Sequence, residues 1–193
     1  MSQSASAQTH FFTFEEYLVY NDGTDTRYEL VDGELVEMPP ESDENNDVAK
    51  RMLFAVAQHV PIALLAYKDT EIEVTGQRAT CRLPDLLVHT AESKAALAGT
   101  KRATITRDMP PPALVVEIVS PGKANRDRDY RYKRTEYAAR GIAEYWIVDP
   151  ETQQITLCQW DNGLYEDTLY VGSEQIQSSV VPNLTLTPDA IFA

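Results

Sequence analysis

Leu114-Val115-Val116-Glu117-Ile118-Val119-Ser120-Pro121 is the stretch on which the reading of this chain turns. Val and Ile dominate it, the composition of a strand covered on both faces at the centre of a sheet. Glu117 interrupts the apolar run. A buried, ionised carboxylate costs several kcal/mol in effective desolvation unless a cation or a set of donors meets it. The rest of the sequence is therefore searched for what Glu117 binds. A structural partner such as Arg82 or Arg131 is the plain answer, and a metal ion the sharper one.

The surrounding chain supplies an α/β context. Thr13, with Glu16 three residues on, forms a capping box ahead of a helix carrying Phe14, Tyr17 and Leu18 on one face. Arg27 to Met38 reads as a hairpin turning at Asp32-Gly33. Val48, Met52, Val56 and Val60 recur at helical spacing and predict a helix over one face of the sheet, stopping near Pro61. Thr70–Thr75 and Arg82–His89 read as strands, the second entered at Pro84-Asp85. Residues 91–112 read as a mobile surface connection with a short helix. Arg126–Arg140 is a charged helix ended by Gly141. Glu144–Val148 is a strand, and residues 155–171 form a second hairpin turning at Asp161-Asn162-Gly163. The fold class expected is α/β, a mixed central β-sheet flanked by helices with additional β-hairpins. Residues 1–10 are expected to be a flexible tail and 11–193 a single domain.

Composition sets limits on function. The 193 residues carry a formal net charge of −13 and a pI near 4.6, which argues against general nucleic-acid binding, since phosphate contacts need clustered cations. No apolar run approaches the roughly 20 residues of a membrane span, and the first residues lack the basic start and apolar core of a signal peptide. A cytoplasmic protein is expected, with Cys81 and Cys158 as reduced core residues. One local exception to the acidity stands out. Lys123, Arg126, Arg128, Arg131, Lys133 and Arg134 place six of the 17 basic residues within 12 positions. Lys123, Arg126 and Arg131 are the candidates for contacts to a DNA backbone, with a salt-bridged exposed helix as the competing account.

Asp85 opens one strand, Glu117 lies in the next long one, and Lys133 lies on the helix that follows. If the strands are neighbours, the two carboxylates converge and repel unless a cation joins them. Hard oxygen ligands suit Mg²⁺, or Mn²⁺ in its place, and such ions activate water. A lysine beside them positions or deprotonates that water, or neutralises a phosphate. Asp129, Lys133 and Tyr137, at i, i+4 and i+8, share a helix face from which Lys133 reaches back toward Glu117.

Pro84-Asp85 followed by a strand glutamate resembles the PD-(D/E)xK nuclease superfamily. More closely, Arg27–Met38, Pro84-Asp85, Val115–Pro121 and Gly141–Pro150 together resemble the Uma-type family of restriction-endonuclease-like proteins. The resemblance implies a restriction-endonuclease-like fold and Mg²⁺-dependent hydrolysis of DNA phosphodiester bonds. It also implies metal ligation by Asp85 and Glu117, with Lys133 as the lysine of the site and Glu29 as a third acidic residue. Val119 stands where the superfamily places its lysine, so Lys133 would be a migrated one. Asn45-Asn46 stands where relatives often carry a histidine, and asparagine cannot titrate near neutrality. A non-catalytic binding or regulatory protein retaining the nuclease fold is the alternative, and homodimerisation through the terminal hairpin is a further expectation.

Overall fold

The computed structural model describes residues 10–193; all but the last residue of the expected 1–10 tail lies outside them. In chain order the elements are α1 (Phe14–Val19), β1 (Tyr28–Val31), β2 (Glu34–Glu37), α2 (Asp43–Ala57), β3 (Leu65–Tyr67) after a short 3-10 turn, β4 (Glu71–Val74), β5 (Thr80–Arg82), β6 (Leu86–Val88), α3 (Ala91–Ala96), β7 (Thr104–Ile105) and β8 (Leu114–Ile118). There follow α4 (Lys123–Asp127), a π-helical turn (Arg128–Lys133), α5 (Arg134–Arg140), β9 (Glu144–Asp149), β10 (Gln154–Asp161), β11 (Leu164–Val171) and α6 (Pro188–Phe192). The strands fall into two mixed sheets, β2-β1-β5-β4-β7 and β11-β10-β9-β8-β6-β3. No helix among the described residues is long and apolar enough to cross a membrane.

β8 lies inside the second sheet, parallel to β9 and antiparallel to β6. All five of its residues are buried. Leu114, Val116 and Ile118 pack with Val48, Met52 and Val56 of α2 and with the C-terminal segment. Val115 and Val119 point the other way, into a core shared with Ile72 and Val74 of β4, Ile105 of β7, and Tyr137 and Ala138 of α5. Period-2 alternation puts Glu117 on that second side, between the two sheets.

Local chemistry explains the elements that frame the site. Thr13 and Glu16 form the reciprocal capping box of α1. Asp32 and Gly33 both take positive φ, 50° and 85°, which the type I′ turn joining β1 to β2 requires. Ser42 accepts from the Asn45 N–H, so α2 starts at Asp43, a turn ahead of its first apolar residue. Gly141 closes α5 at φ 75° in the left-handed region.

Two sequence expectations need correction. Arg82–His89 is not one strand. Arg82 ends β5 in the first sheet, the chain crosses at Leu83-Pro84-Asp85, and Leu86 begins β6 in the second sheet. Pro84 has no N–H to continue a ladder, and the Leu83 N–H is taken by the Glu29 carboxylate at 3.0 Å. Residues 91–112 are more than a surface connection: β7 pairs in parallel with β4, and Ile105 is fully buried. A two-residue strand is too short to leave an alternation pattern.

His89, just past β6, is buried; its Nδ1 meets Ser93 Oγ at 3.1 Å, while Nε2 has no partner. Burial first, and then the Lys94 charge, lower its pKa to about 4, against a weaker opposing pull from Asp69. The unfolded chain therefore binds a proton at pH values where the folded one does not. Stability is full above about pH 6.5 and falls as pH drops toward 4, by up to about 3 kcal/mol. Urea unfolding at pH 7 and pH 5 should show this loss in the wild type, with a flatter dependence in His89→Gln.

Candidate active site

The crossing from β5 to β6 aims Asp85. β6 and β8 pair with Leu86 opposite Val116, and one step further along that register sets Asp85 across from Glu117. Asp85 Oδ2 accepts the Ile118 N–H at 2.8 Å. Its Oδ1 faces Lys68 Nζ at 3.3 Å.

Glu117 is held from the helical side. Its Oε1 accepts from Tyr137 OH at 2.7 Å, and its Oε2 forms an ion pair with Lys133 Nζ at 2.8 Å. Lys133 also lies 3.6 Å from both Glu29 Oε1 and Asp129 Oδ1. It is only 1% exposed. The π-helical turn that ends at Lys133 widens the helix locally and loosens its own hydrogen bonding, as at many functional sites. Tyr145 OH donates to the Asp129 carbonyl within this turn at 3.1 Å.

Glu29 enters from β1 of the other sheet. Its Oε1 accepts the Leu83 N–H and its Oε2 accepts from Arg82, each at 3.0 Å. Glu29 thus fixes the crossing that carries Asp85, besides facing Lys133. Arg82 continues as a fork onto Glu136, at 2.7 and 2.8 Å, and Arg128 lies 3.1 Å from Asp129. Arg82 therefore serves Glu29 and Glu136, and Glu117 takes Lys133 rather than an arginine.

The electrostatics follow from the count of neighbours. Burial alone would raise the Glu29 carboxyl, but Lys133, Arg82 and the Leu83 N–H carry it down to about 2. Burial would strip Lys133 of its proton; Glu117, Glu29 and Asp129 more than offset this and hold it charged. Glu117 moves the other way. Burial pushes its pKa up, Lys133 opposes, and the negative charges of Asp85, Asp129 and Glu29 push it further up. Of this pair the ammonium holds its charge more firmly, since three carboxylates face it while Glu117 faces one cation and three like charges.

Two clefts reach this cluster. One, of about 620 Å³, is bordered by Asp85, Lys68, Asn46, Glu41 and Arg27. The other, of about 680 Å³, is bordered by Glu29, Arg82, Arg128, Glu136, Ser120 and the exposed Tyr132. Among the described residues no three His, Cys, Asp or Glu side chains are grouped as a metal cage. The donor set still fits Mg²⁺, which takes one or two carboxylates and completes its shell with water. Asp85 and Glu117 each keep lone pairs beyond the single donor on each oxygen, and the surplus of negative charge around Glu117 is of the kind a divalent cation cancels.

The three residues expected on a DNA backbone are all paired within the chain. Lys123 meets Asp127 at 2.5 Å, Arg131 approaches Asp127 at 3.7 Å, and Arg126 bonds Asp149. Sequence reading missed Lys68, whose ammonium touches both Asp85 and, at 3.3 Å, Asn46 Oδ1. No pattern marks it: Lys68 is a loop residue at φ 53°. Asn45, its neighbour in the pair singled out from sequence, is buried with Nδ2 3.4 Å from the Val119 carbonyl.

A solved structure from Anabaena variabilis, described as "a putative nuclease", superposes with a TM-score of 0.67 at 15% identity, covering 94% of this chain and 97% of its own. At that identity the likeness establishes a shared fold, the restriction-endonuclease-like one. No curated protein matches the chain. The model of the Uma2 family, described as "Putative restriction endonuclease", matches residues 14–189. A match over that span establishes that the chain belongs to the Uma2 family of restriction-endonuclease-like proteins.

Proposed function

We propose that this protein is a Mg²⁺-dependent endonuclease that hydrolyses DNA phosphodiester bonds, with Asp85 and Glu117 as the residues that hold the ion. The observation that carries the reading is the register of β6 on β8, which sets these carboxylates across from one another, with Lys133 on Glu117 at 2.8 Å. Bound Mg²⁺ would supply a Lewis acid and lower the pKa of water so that hydroxide is available at neutral pH. The ion's protein ligands are pre-set: the Ile118 N–H fixes Asp85, and Tyr137 and Lys133 fix Glu117. The raised pKa of Lys133 argues that it serves as a hydrogen-bond donor and fixed positive charge near the phosphate rather than as a base. Glu29 acts by holding Lys133 and the Leu83-Pro84-Asp85 crossing. Lys123, Arg126 and Arg131 are paired to carboxylates, so DNA contacts there compete with those pairs, and binding that uses them should weaken as salt rises.

Incubating plasmid and oligonucleotide DNA with Mg²⁺ or Mn²⁺ should give cleavage that falls at least ~100-fold in Asp85→Ala. Cleavage of equal rate in Asp85→Ala and wild type would remove the assignment. A second reading, a non-catalytic binding protein of the same fold, draws on one observation: each carboxylate of the cluster already has an internal donor or cation. It predicts a melting temperature indifferent to Mg²⁺, whereas a bound ion raises it by linkage.

A further inference from the structure

The two lysines of the site are held in different ways. Lys133 faces three carboxylates and borders neither cleft. Lys68 faces one carboxylate, Asp85, and lies on the wall between two clefts, the 620 Å³ one and a second of about 410 Å³. Its backbone is fixed at both ends: its N–H donates to the Asp85 carbonyl at 3.1 Å, and its own carbonyl accepts from Arg27 at 2.6 Å. A non-glycine residue is held in the left-handed region there, at φ 53°. The outcome of that arrangement is an ammonium set against Asp85 Oδ1, the oxygen that Ile118 leaves free, with Asn46 Oδ1 as its only hydrogen-bond acceptor among the described residues and the Tyr67 ring 5.6 Å away.

We propose that Lys68 is a built-in counter-cation that a divalent ion must displace from Asp85, and that it thereby sets the metal affinity of this site. The proposal rests on the metal-binding reading of Asp85 and Glu117. Its physical basis is that a like charge works against an incoming ion: the Lys68 ammonium, 3.3 Å from Asp85 Oδ1, repels a dication and occupies the lone pairs it needs. Displacement is open to Lys68, because the residue borders an open cleft on each side. It is closed to Lys133. Between them, one lysine is a fixed part of the site and the other is exchanged for metal. Lys68 is a positioning residue in this account, since it acts through Asp85.

The test is a Mn²⁺ titration of the full chain, followed by calorimetry and by thermal shift, in wild type, Lys68→Gln, Lys68→Met and Lys68→Arg, with Asp85→Asn as control. The two neutral variants should bind Mn²⁺ about tenfold more tightly than wild type, and the arginine variant within about twofold of it. A merely structural lysine would give weaker or unchanged binding on removal. Equal or weaker affinity in the folded neutral variants, with wild-type binding intact, overturns the role of Lys68 and leaves the metal site standing. No Mn²⁺ binding by any variant, neutral ones included, overturns both. Two neutral replacements are used because Gln keeps a hydrogen bond to Asn46 and Met does not, so that a folding defect in one leaves the other to decide.

Discussion

Lys133→Met is expected to lower the free energy of unfolding by about 3–5 kcal/mol, the usual cost of removing one partner from a buried ion pair. Methionine keeps most of the stem volume, so the loss is electrostatic rather than a cavity. Three carboxylates lose the ammonium, but unequally. Glu29 keeps Arg82 and the Leu83 N–H, and Asp129 keeps Arg128, whereas Glu117 keeps only the Tyr137 hydroxyl. The cost should therefore concentrate on Glu117, and Glu117→Gln placed on the Lys133→Met background should recover about 1–3 kcal/mol as a coupling energy. Acid titration gives a second readout. Glu29, at about 2 in the folded chain against 4.5 for a free side chain, contributes stability that is fully present above pH 4.5. That contribution is lost as pH falls toward 2. Without Lys133, the first of the cations holding it down, this acid loss should shrink. Denaturant unfolding of the four proteins of the cycle at pH 7 and pH 3 measures both effects. A cost under about 1 kcal/mol for Lys133→Met would mean that the ammonium is not what makes burial of Glu117 tolerable.

The contrast between Lys133 and Lys68 also shows which parts of the site are readable in a sequence. Lys133 was accessible because helical spacing relates it to Asp129 and Tyr137, and Glu117 because one charge breaks an apolar run. The hairpin turns at Asp32-Gly33 and Asn162-Gly163 and the capping box of α1 were equally accessible, since each is a local chemical requirement written into adjacent residues. Arg82–His89 was not, because an apolar run looks the same whether its strand keeps one partner or exchanges sheets at a proline. The π-helical turn, the parallel pairing of β7 and the left-handed Lys68 depend on contacts across tens of residues. Asp85 sits at the boundary between the two kinds: its identity is visible beside Pro84, but its position opposite Glu117 is fixed by a register, and that register by Glu29 holding Leu83.

Glu144 belongs wholly to the unreadable kind, and replacing it should be as costly as replacing Lys133. A buried glutamate at a strand entry is ordinarily met by a cation such as arginine. Glu144 is fully buried and instead accepts five hydrogen bonds: Trp146 Nε1 at 3.0 Å, Ser178 Oγ at 2.7 Å, Ser179 N and Oγ each at 2.6 Å, and Val180 N at 3.2 Å. Four of the five donors come from a turn 34–36 residues downstream, which carries Ile176, Val181, Leu184 and Leu186 into the core that contains Trp146. Glu144→Ala leaves several buried donors without an acceptor and loosens that segment, an expected loss of about 3–5 kcal/mol. Glu144→Gln keeps the shape but turns an amide N–H₂ toward groups that also donate, so it should restore less than half of the loss. The position of Glu144 separates this effect from the site's. It pairs with Leu114 at the start of β8, while Glu117 pairs with Ile147. Below its melting temperature Glu144→Ala should therefore bind Mn²⁺ as the wild type does, whereas Lys133→Met should change stability and metal affinity together. A shift in Mn²⁺ affinity on Glu144→Ala would place the C-terminal turn in the same energetic unit as the Asp85–Glu117 pair.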